Sequence, residues 1–227
     1  MSVLDFHAHI LPGADHGSHS IKTSLVQLDA AKKHGIDRIV ATPHFYPHRH
    51  NIDKFLDRRA QSVDLLRMNL NDNHPKIAVG TEVMLCVGLE NFQRLDDLTI
   101  GGSRTLLVEL PPNDFSDEYV NTVVVLKEMG YNVVLAHAER YPKEYVEKLI
   151  REGALLQLNA IALFNIVTRH QALEWIRGGY VVCFGSDVHG TDKIGIRAMA
   201  KIKRRLGALY DSIAQKSETL WSAFQTL

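Results

Sequence analysis

The chain opens on Val3-Leu4-Asp5-Phe6-His7-Ala8-His9, a strand-like apolar run that ends in two histidines spaced two residues apart. If the extended backbone continues to its end, both imidazoles project to the same side. Alone, such a pair is as readily two polar residues of a strand as a ligand set. The spacing returns late in the chain as Asp187-Val188-His189, directly after the apolar run Val181–Ser186. Between these ends, strands are expected at Val3–His7, Arg38–Thr42, Ile77–Glu82, Thr105–Glu109, Asn132–Ala136, Leu155–Asn159 and Val181–Ser186. Helical patterns lie at Ser20–His34, Asp53–Leu70, Ser116–Met129, Lys143–Glu152, Thr168–Arg177, Asp192–Leu206 and Tyr210–Phe224. Gly35, Gly130, Gly153 and Gly178 follow helix ends, where a left-handed residue closes the last turn. Strict alternation of strand and helix calls for a parallel sheet covered by helices.

The polar residues choose the form of that sheet. His7 and His9 end the first strand, His44 follows the second, and Glu82 and Glu109 end the third and fourth. His137 follows the fifth, and Asp187 and His189 follow the last. In an open sheet, strands at opposite edges cannot reach a common point. In a barrel, all carboxyl ends converge on one face, where such folds carry their chemistry. The expected architecture is therefore an α/β fold, a closed or distorted (β/α)7 barrel, as a single domain over residues 1–227.

Composition narrows the function. The 26 Lys+Arg balance 26 Asp+Glu over 227 residues, so no net field attracts polyanions, and nucleic acid or an anionic membrane surface is disfavoured as partner. The basic run Lys201–Arg205 lies on a helical pattern and reads as a solvated face. No run approaches the roughly 20 apolar residues of a membrane helix. Met1 leads straight into strand-like sequence without a secretory leader, so a cytoplasmic setting without membrane insertion is expected. Cys86 and Cys183 cannot form a disulfide framework or a thiolate zinc site, and both read as buried free thiols. The unusual entry in the composition is 12 histidines.

Concentrated imidazoles and carboxylates in one barrel mouth need cations to stabilise their burial. Without thiolates, the ligand set suits Zn, Mn, Fe or Co. It also exceeds the roughly four to six positions of one ion, so two or three ions are implied. Such a cluster lowers the pKa of bound water and clamps the entering and leaving oxygens of a phosphoryl displacement. The other phosphatase chemistries lack their residues. The sixth position after Cys86 is Phe92 and after Cys183 is His189, where a cysteine phosphatase needs Arg. Asp5 is followed two residues later by His7 rather than a second Asp, and Ser186, in Gly185-Ser186-Asp187, lacks the flanking glycine spacing of a nucleophile elbow. No phosphate-binding Walker loop is present. A metal-activated hydroxide remains as the nucleophile.

The string Asp5-Phe6-His7-Ala8-His9-Ile10-Leu11-Pro12-Gly13-Ala14-Asp15-His16-Gly17 resembles the first motif of the polymerase-and-histidinol-phosphatase (PHP) superfamily. Within it, the string is most similar to the bacterial protein-tyrosine phosphatases of capsule and exopolysaccharide loci. Ala41-Thr42-Pro43-His44, Gly80-Thr81-Glu82, Leu107–Pro111, His137–Tyr141 and Ser186–His189 match the later motifs in order, over roughly the first 200 residues. The resemblance implies a PHP-type barrel with three divalent ions, manganese first, with iron, zinc, magnesium or cobalt as alternatives. Carried over by position, His7, His9, Glu82 and Asp187 hold one ion. Glu82 bridges to a second with Glu109 and His137, and His16, His44 and His189 take the third. Arg140 matches the phosphate-binding arginine, with Arg197 as the second. His16 stands where the phosphatases usually carry Asp, so Asp15 is an alternative ligand.

The implied function is hydrolysis of phosphotyrosine in a protein, with an autophosphorylating bacterial tyrosine kinase as candidate partner. One rival is a small-molecule phosphatase such as histidinol-phosphate phosphatase. A second is an amidohydrolase, which usually has lysine on the fourth strand where this chain has Glu109. A third is a non-catalytic metal-binding partner of a tyrosine kinase. The loop Tyr46-Pro47-His48-Arg49-His50 follows His44 on the same face, and is either a solvated loop or a contact for the phosphotyrosine ring.

Overall fold

A computed structural model describes residues 3–227; the expectation about a leader at Met1 lies outside the described residues. Strands β1 (Val3–Ala8), β2 (Ile36–Ala41), β3 (His44–Phe45), β4 (Lys76–Val79), β5 (Glu82–Met84), β6 (Thr105–Glu109), β7 (Asn132–Leu135), β8 (Leu155–Asn159) and β9 (Val181–Gly185) alternate with helices. The helices are α1 (Ile21–Lys33), α2 (Ile52–Arg67), α3 (Asp117–Glu128), α4 (Lys143–Arg151), α5 (Arg169–Arg177), α6 (Ile194–Leu206) and α7 (Ala208–Trp221). Local chemistry sets their starts. Ser20, Asn51 and Ser116 each accept a hydrogen bond from an otherwise unpaired amide of the first turn, at Thr23, Lys54 and Glu118.

The result is an α/β fold with two wholly parallel sheets, ordered β1-β2-β4 and β3-β5-β6-β7-β8-β9, rather than one continuous closed ladder. One expected strand, Ile77–Glu82, is split between the sheets, and a short strand just beyond the expected Arg38–Thr42 joins the second sheet rather than the first. Pro43, with no amide hydrogen, interrupts the run from β2 to β3. Gly80 breaks β4 from β5 where the chain passes so close to Ile100 that a Cβ would lie 2.7 Å from its Cγ1. The breaks are bridged, because Gly80 N donates to Ala41 O at 2.8 Å and Glu82 N to Pro43 O at 3.1 Å. On the other side, Asp187 N donates to His7 O at 2.8 Å and His9 N to Val188 O at 3.2 Å, so the end of β9 lies against the end of β1.

The main core packs beneath the helices, around Leu28, Ile39, Phe55, Leu126, Leu149 and Trp175. A second, smaller apolar cluster takes Phe6, Val40, Ala78, Leu107, Val134 and Val182 from strands of both sheets, with Phe224 packed on Phe6 at 5.7 Å between ring centroids. Cys183 belongs to this cluster and is buried, whereas Cys86 is only partly covered, contrary to the expectation of two buried thiols. Among the described residues, no helix is long and apolar enough to cross a membrane.

Candidate metal centre

The carboxyl ends of β1, β6, β7 and β9, with the first residues of β3 and β5, bring their polar residues into one buried cluster. Glu82 lies at its middle, fully buried. His137 Nε2 is 2.7 Å from Glu82 Oε1, while His44 Nδ1, His7 Nε2 and His9 Nε2 lie 2.9, 3.2 and 3.3 Å from Oε2. Asp187 Oδ1 faces His9 Nε2 at 3.4 Å and His7 Nε2 at 3.6 Å. Glu109 Oε1 is 3.2 Å from His44 Nδ1, and the His189 ring stacks on His9 at 4.1 Å. Three subsets each bring a ligand atom per residue within 4.8 Å of one another: His7, His9 and Glu82; His44, Glu82 and Glu109; and His9, His44 and His189.

The electrostatics follow from packing acids and bases out of water. Burial alone would lower the His7 and His9 imidazoles, but the carboxylates of Glu82, Asp187 and Asp15 hold both above their usual range. His44 is likewise pushed up to about 9, against its burial, by Glu109 and Glu82. Burial would raise Glu82, yet His7, His137 and His44 hold it well below the carboxylate range. His189 goes the other way, to about 4, through burial and the neighbouring His9.

Hydrogen bonding decides which ring nitrogen carries the proton. His9 Nδ1 donates to the Asp15 carboxylate at 2.7 Å, and His189 Nδ1 to the carbonyl of Asp187 at 3.1 Å. His7 Nδ1 faces Gln157 Oε1 at 3.0 Å. That atom also accepts from His137 N at 2.7 Å, and a backbone amide can only donate. In the neutral rings, the Nε2 lone pairs of His7 and His9 therefore point inward, 3.0 Å from each other and beside Glu82. His189 Nε2 is buried with no hydrogen-bond partner, and Glu82 Oε2, with three imidazole nitrogens within 3.3 Å, is aligned for a hydrogen bond with none of them. Lone pairs gathered in this way, each ring held from behind by an acceptor, fit divalent cations.

Two of the contributing residues hold a backbone conformation rare outside glycine: His137 at φ 33 and Asp187 at φ 52. Each turns its side chain inward at a strand end, the kind of local strain that packing maintains at functional sites. Close approach also requires glycine. A Cβ on Gly17 would lie 2.1 Å from His9 Cβ, and one on Gly185 2.5 Å from His7 Cβ.

The remaining expected residues are placed unequally. His16 is exposed and stacks at 4.8 Å on both His44 and His189. Asp15 accepts from His9 Nδ1, Gly17 N and His44 N, so its oxygens orient other groups. Arg140 donates to Asp187 Oδ2 from the turn just after His137. Arg197 is not brought to the cluster; it is exposed in a groove with Val26, Asp29, Lys33 and His34. The reason is helical geometry: Gly195 packs against the Ser186 backbone, and a residue two further on lies about 200° around the helix. Tyr46 stacks on His44 at 5.2 Å, with the Arg49 guanidinium 5.9 Å from its ring centroid. The open mouth is lined by His16, Arg140, Asp187 and His189, with Ile161 and Ile194 on its apolar side.

Sequence reasoning missed Gln157 and Asn159. Both lie on β8, the one expected strand credited with no ligand. The signal was available: Leu-Gln-Leu-Asn alternation puts two amides on one face of a strand otherwise buried on both sides.

Known proteins resemble this chain along nearly its whole length. The CapC protein of Staphylococcus aureus is 29% identical over 93% of this chain and 87% of its own. The tyrosine-protein phosphatase YwqE of Bacillus subtilis is 26% identical over 82% of this chain and 77% of its own. A crystal structure from a study of YwqE and of CpsB from Streptococcus pneumoniae, described there as metal-dependent tyrosine phosphatases, superposes with a TM-score of 0.82 at 21% identity, covering 99% of this chain and 96% of the other. The family model for capsular polysaccharide synthesis, CpsB/CapC, matches residues 3–215, the span that carries every residue of the cluster, and the chain belongs to that family.

Proposed function

We propose that this chain is a metal-dependent phosphomonoesterase that removes phosphate from tyrosine in proteins, in the control of capsular or exopolysaccharide synthesis. The observation that carries the reading is the inward-facing, cation-demanding set of lone pairs around Glu82, opening beside Arg140. His7, His9, Glu82 and Asp187 would hold one divalent ion, Glu82, Glu109 and His137 a second, and His16, His44 and His189 a third. Manganese is the first candidate. Bound there, such ions supply a water of lowered pKa as nucleophile and positive charge for the phosphoryl oxygens.

The protein's own groups do the rest. Asp15, Gln157 and the Asp187 carbonyl keep the protons of His9, His7 and His189 on the outward nitrogens. Arg140, half-exposed, exchanges its Asp187 partner for a non-bridging phosphoryl oxygen and stabilises charge that grows in the transition state. Tyr46, stacked on His44, and Ile161 and Ile194, in the groove with His16 and Arg140, would offer apolar surface to an aryl ring, which favours phosphotyrosine over an alkyl phosphate such as histidinol phosphate. With the acids of the site balanced by ions, the mouth of a chain without net charge becomes locally cationic.

We read the two sheets as parts of one distorted seven-stranded barrel. Hydrogen bonds between the ends of β1 and β9, and the apolar cluster shared by strands of both sheets, support it. A cytoplasmic location and an autophosphorylating tyrosine kinase as substrate belong to the same proposal. The test is hydrolysis of phosphotyrosine peptides and histidinol phosphate side by side, before and after chelation, with Glu82→Ala, His137→Ala and Asp187→Ala. Loss of phosphotyrosine turnover on chelation and in all three variants is expected. Full activity without metal refutes the mechanism. Bound metal with no turnover on any phosphoester favours the non-catalytic reading.

A further inference from the structure

We propose that Gln157 is a positioning residue of the centre: its carbonyl oxygen keeps the His7 proton on Nδ1 and so holds the Nε2 lone pair toward the cations. The inference rests on the metal-centre reading above. Gln157 is fully buried on β8, between the β1 and β7 ends of the cluster. Its orientation is set independently from two directions. At one end His137 N donates to Oε1 at 2.7 Å, so a flipped amide would set two donors against each other. At the other, Gln157 Nε2 donates to Asn159 Oδ1 at 3.1 Å, and Asn159 Nδ2 donates to Asp187 Oδ2 at 3.1 Å. A carboxylate only accepts, so Asp187 fixes the polarity of Asn159, and Asn159 that of Gln157.

With Oε1 held in place, the alternative His7 tautomer would oppose two lone pairs at 3.0 Å. One amide thereby connects three residues of the centre: it sets the tautomer of His7, satisfies the amide of the left-handed residue His137, and through Asn159 holds Asp187. The strand without a ligand of its own orders ligands from three others.

The experiment is calorimetric titration of Mn²⁺ into chelator-treated full-length protein. Gln157→Met keeps length and volume but removes the acceptor, and is expected to weaken Mn²⁺ binding about 10–100-fold. Proton placement is read separately from packing by the ring ¹⁵N chemical shifts of His7 in the metal-free protein, at a pH where the ring is neutral: the parent is expected to carry the proton on Nδ1 and Gln157→Met to lose that preference. Equal Mn²⁺ affinity in Gln157→Met and the parent overturns the proposal, as does an unchanged Nδ1–H tautomer in that variant. If Gln157→Met is unfolded by circular dichroism, Asn159→Ala takes its place, with a loss of about threefold to tenfold expected and unchanged affinity overturning the proposal. If the parent itself takes up no metal, the metal-centre reading falls, and this proposal with it.

Discussion

Gly185→Ala tests whether the cluster depends on close backbone approach. Gly185 is the last residue of β9, and its φ is negative, so alanine meets no conformational bar there. By backbone entropy alone the substitution stabilises a strand, by about 0.5–1 kcal/mol. The added Cβ, however, would lie 2.5 Å from His7 Cβ, 2.8 Å from Gln157 Nε2 and 3.2 Å from His7 N. Neither neighbour is a flexible tip: His7 is on a buried strand, and Gln157 is held at both ends of its amide. Overpacking of that kind costs about 1–3 kcal/mol, so the steric term wins. The net is a loss of up to about 2.5 kcal/mol, or a melting temperature lower by up to roughly 10 °C for a domain of this size. Because the shift falls on His7 and Gln157, Mn²⁺ affinity should drop by about tenfold or more as well. Thermal denaturation followed by circular dichroism, paired with Mn²⁺ titration of the same preparations, measures both. A variant that melts at or above the parent and binds Mn²⁺ equally well refutes the reasoning, since the strands would then have room the structure denies them.

Arg140→Ala should lower kcat on phosphotyrosine peptides by about 10²–10³ while Mn²⁺ affinity stays within a few-fold of the parent, read by steady-state kinetics and metal titration. Tyr46→Ala should reduce kcat/KM for phosphotyrosine by about tenfold and leave an alkyl phosphate nearly unaffected; equal losses on both would place Tyr46 outside ring recognition. Asp5 provides a pH test. Burial pushes its carboxyl up to about 6 from 3.8, so the folded state binds that proton more tightly than the unfolded one. Its contribution is then most favourable below about pH 4 and is lost as pH rises through about 6, by up to roughly 3 kcal/mol. Asp5→Asn keeps an acceptor for Ser186 N and His7 N, so in chelator-treated protein it should raise the melting temperature at pH 8 and much less at pH 4. An unchanged difference between the two pH values contradicts the assignment.

Much of the centre was legible because its signals are local. His7 and His9 share a strand end, Glu109 closes a β-prone run, and Asp187 and His189 repeat the spacing of the opening motif. A parallel α/β fold follows from alternation, and helix starts from Ser20, Asn51 and Ser116. Arg197 shows the limit. The resemblance implied it as the second phosphate contact, but the side of α6 on which it emerges depends on how Gly195 seats against Ser186. Asp15 and His16 are adjacent and both chemically able to ligate. Only the hydrogen bonds of Asp15 to His9, Gly17 and His44 separate their placements.

The sequence by itself determined which strand ends carry imidazole and carboxylate, because residue type and period 2 or 3.6 are properties of a short segment. It also determined that the cysteine-phosphatase arrangement is absent, since Phe92 and His189 stand where that chemistry needs arginine. Only the tertiary structure decided how the strands divide between two sheets, which imidazole nitrogen faces an acceptor and so keeps the proton, and that β8 contributes Gln157 and Asn159 as the hydrogen-bonding frame of the site. Those outcomes depend on contacts between residues as far apart as His7 and Gln157, which are 150 positions distant in the chain and 3.0 Å apart in the fold. No local pattern carries that proximity; packing of the strands creates it.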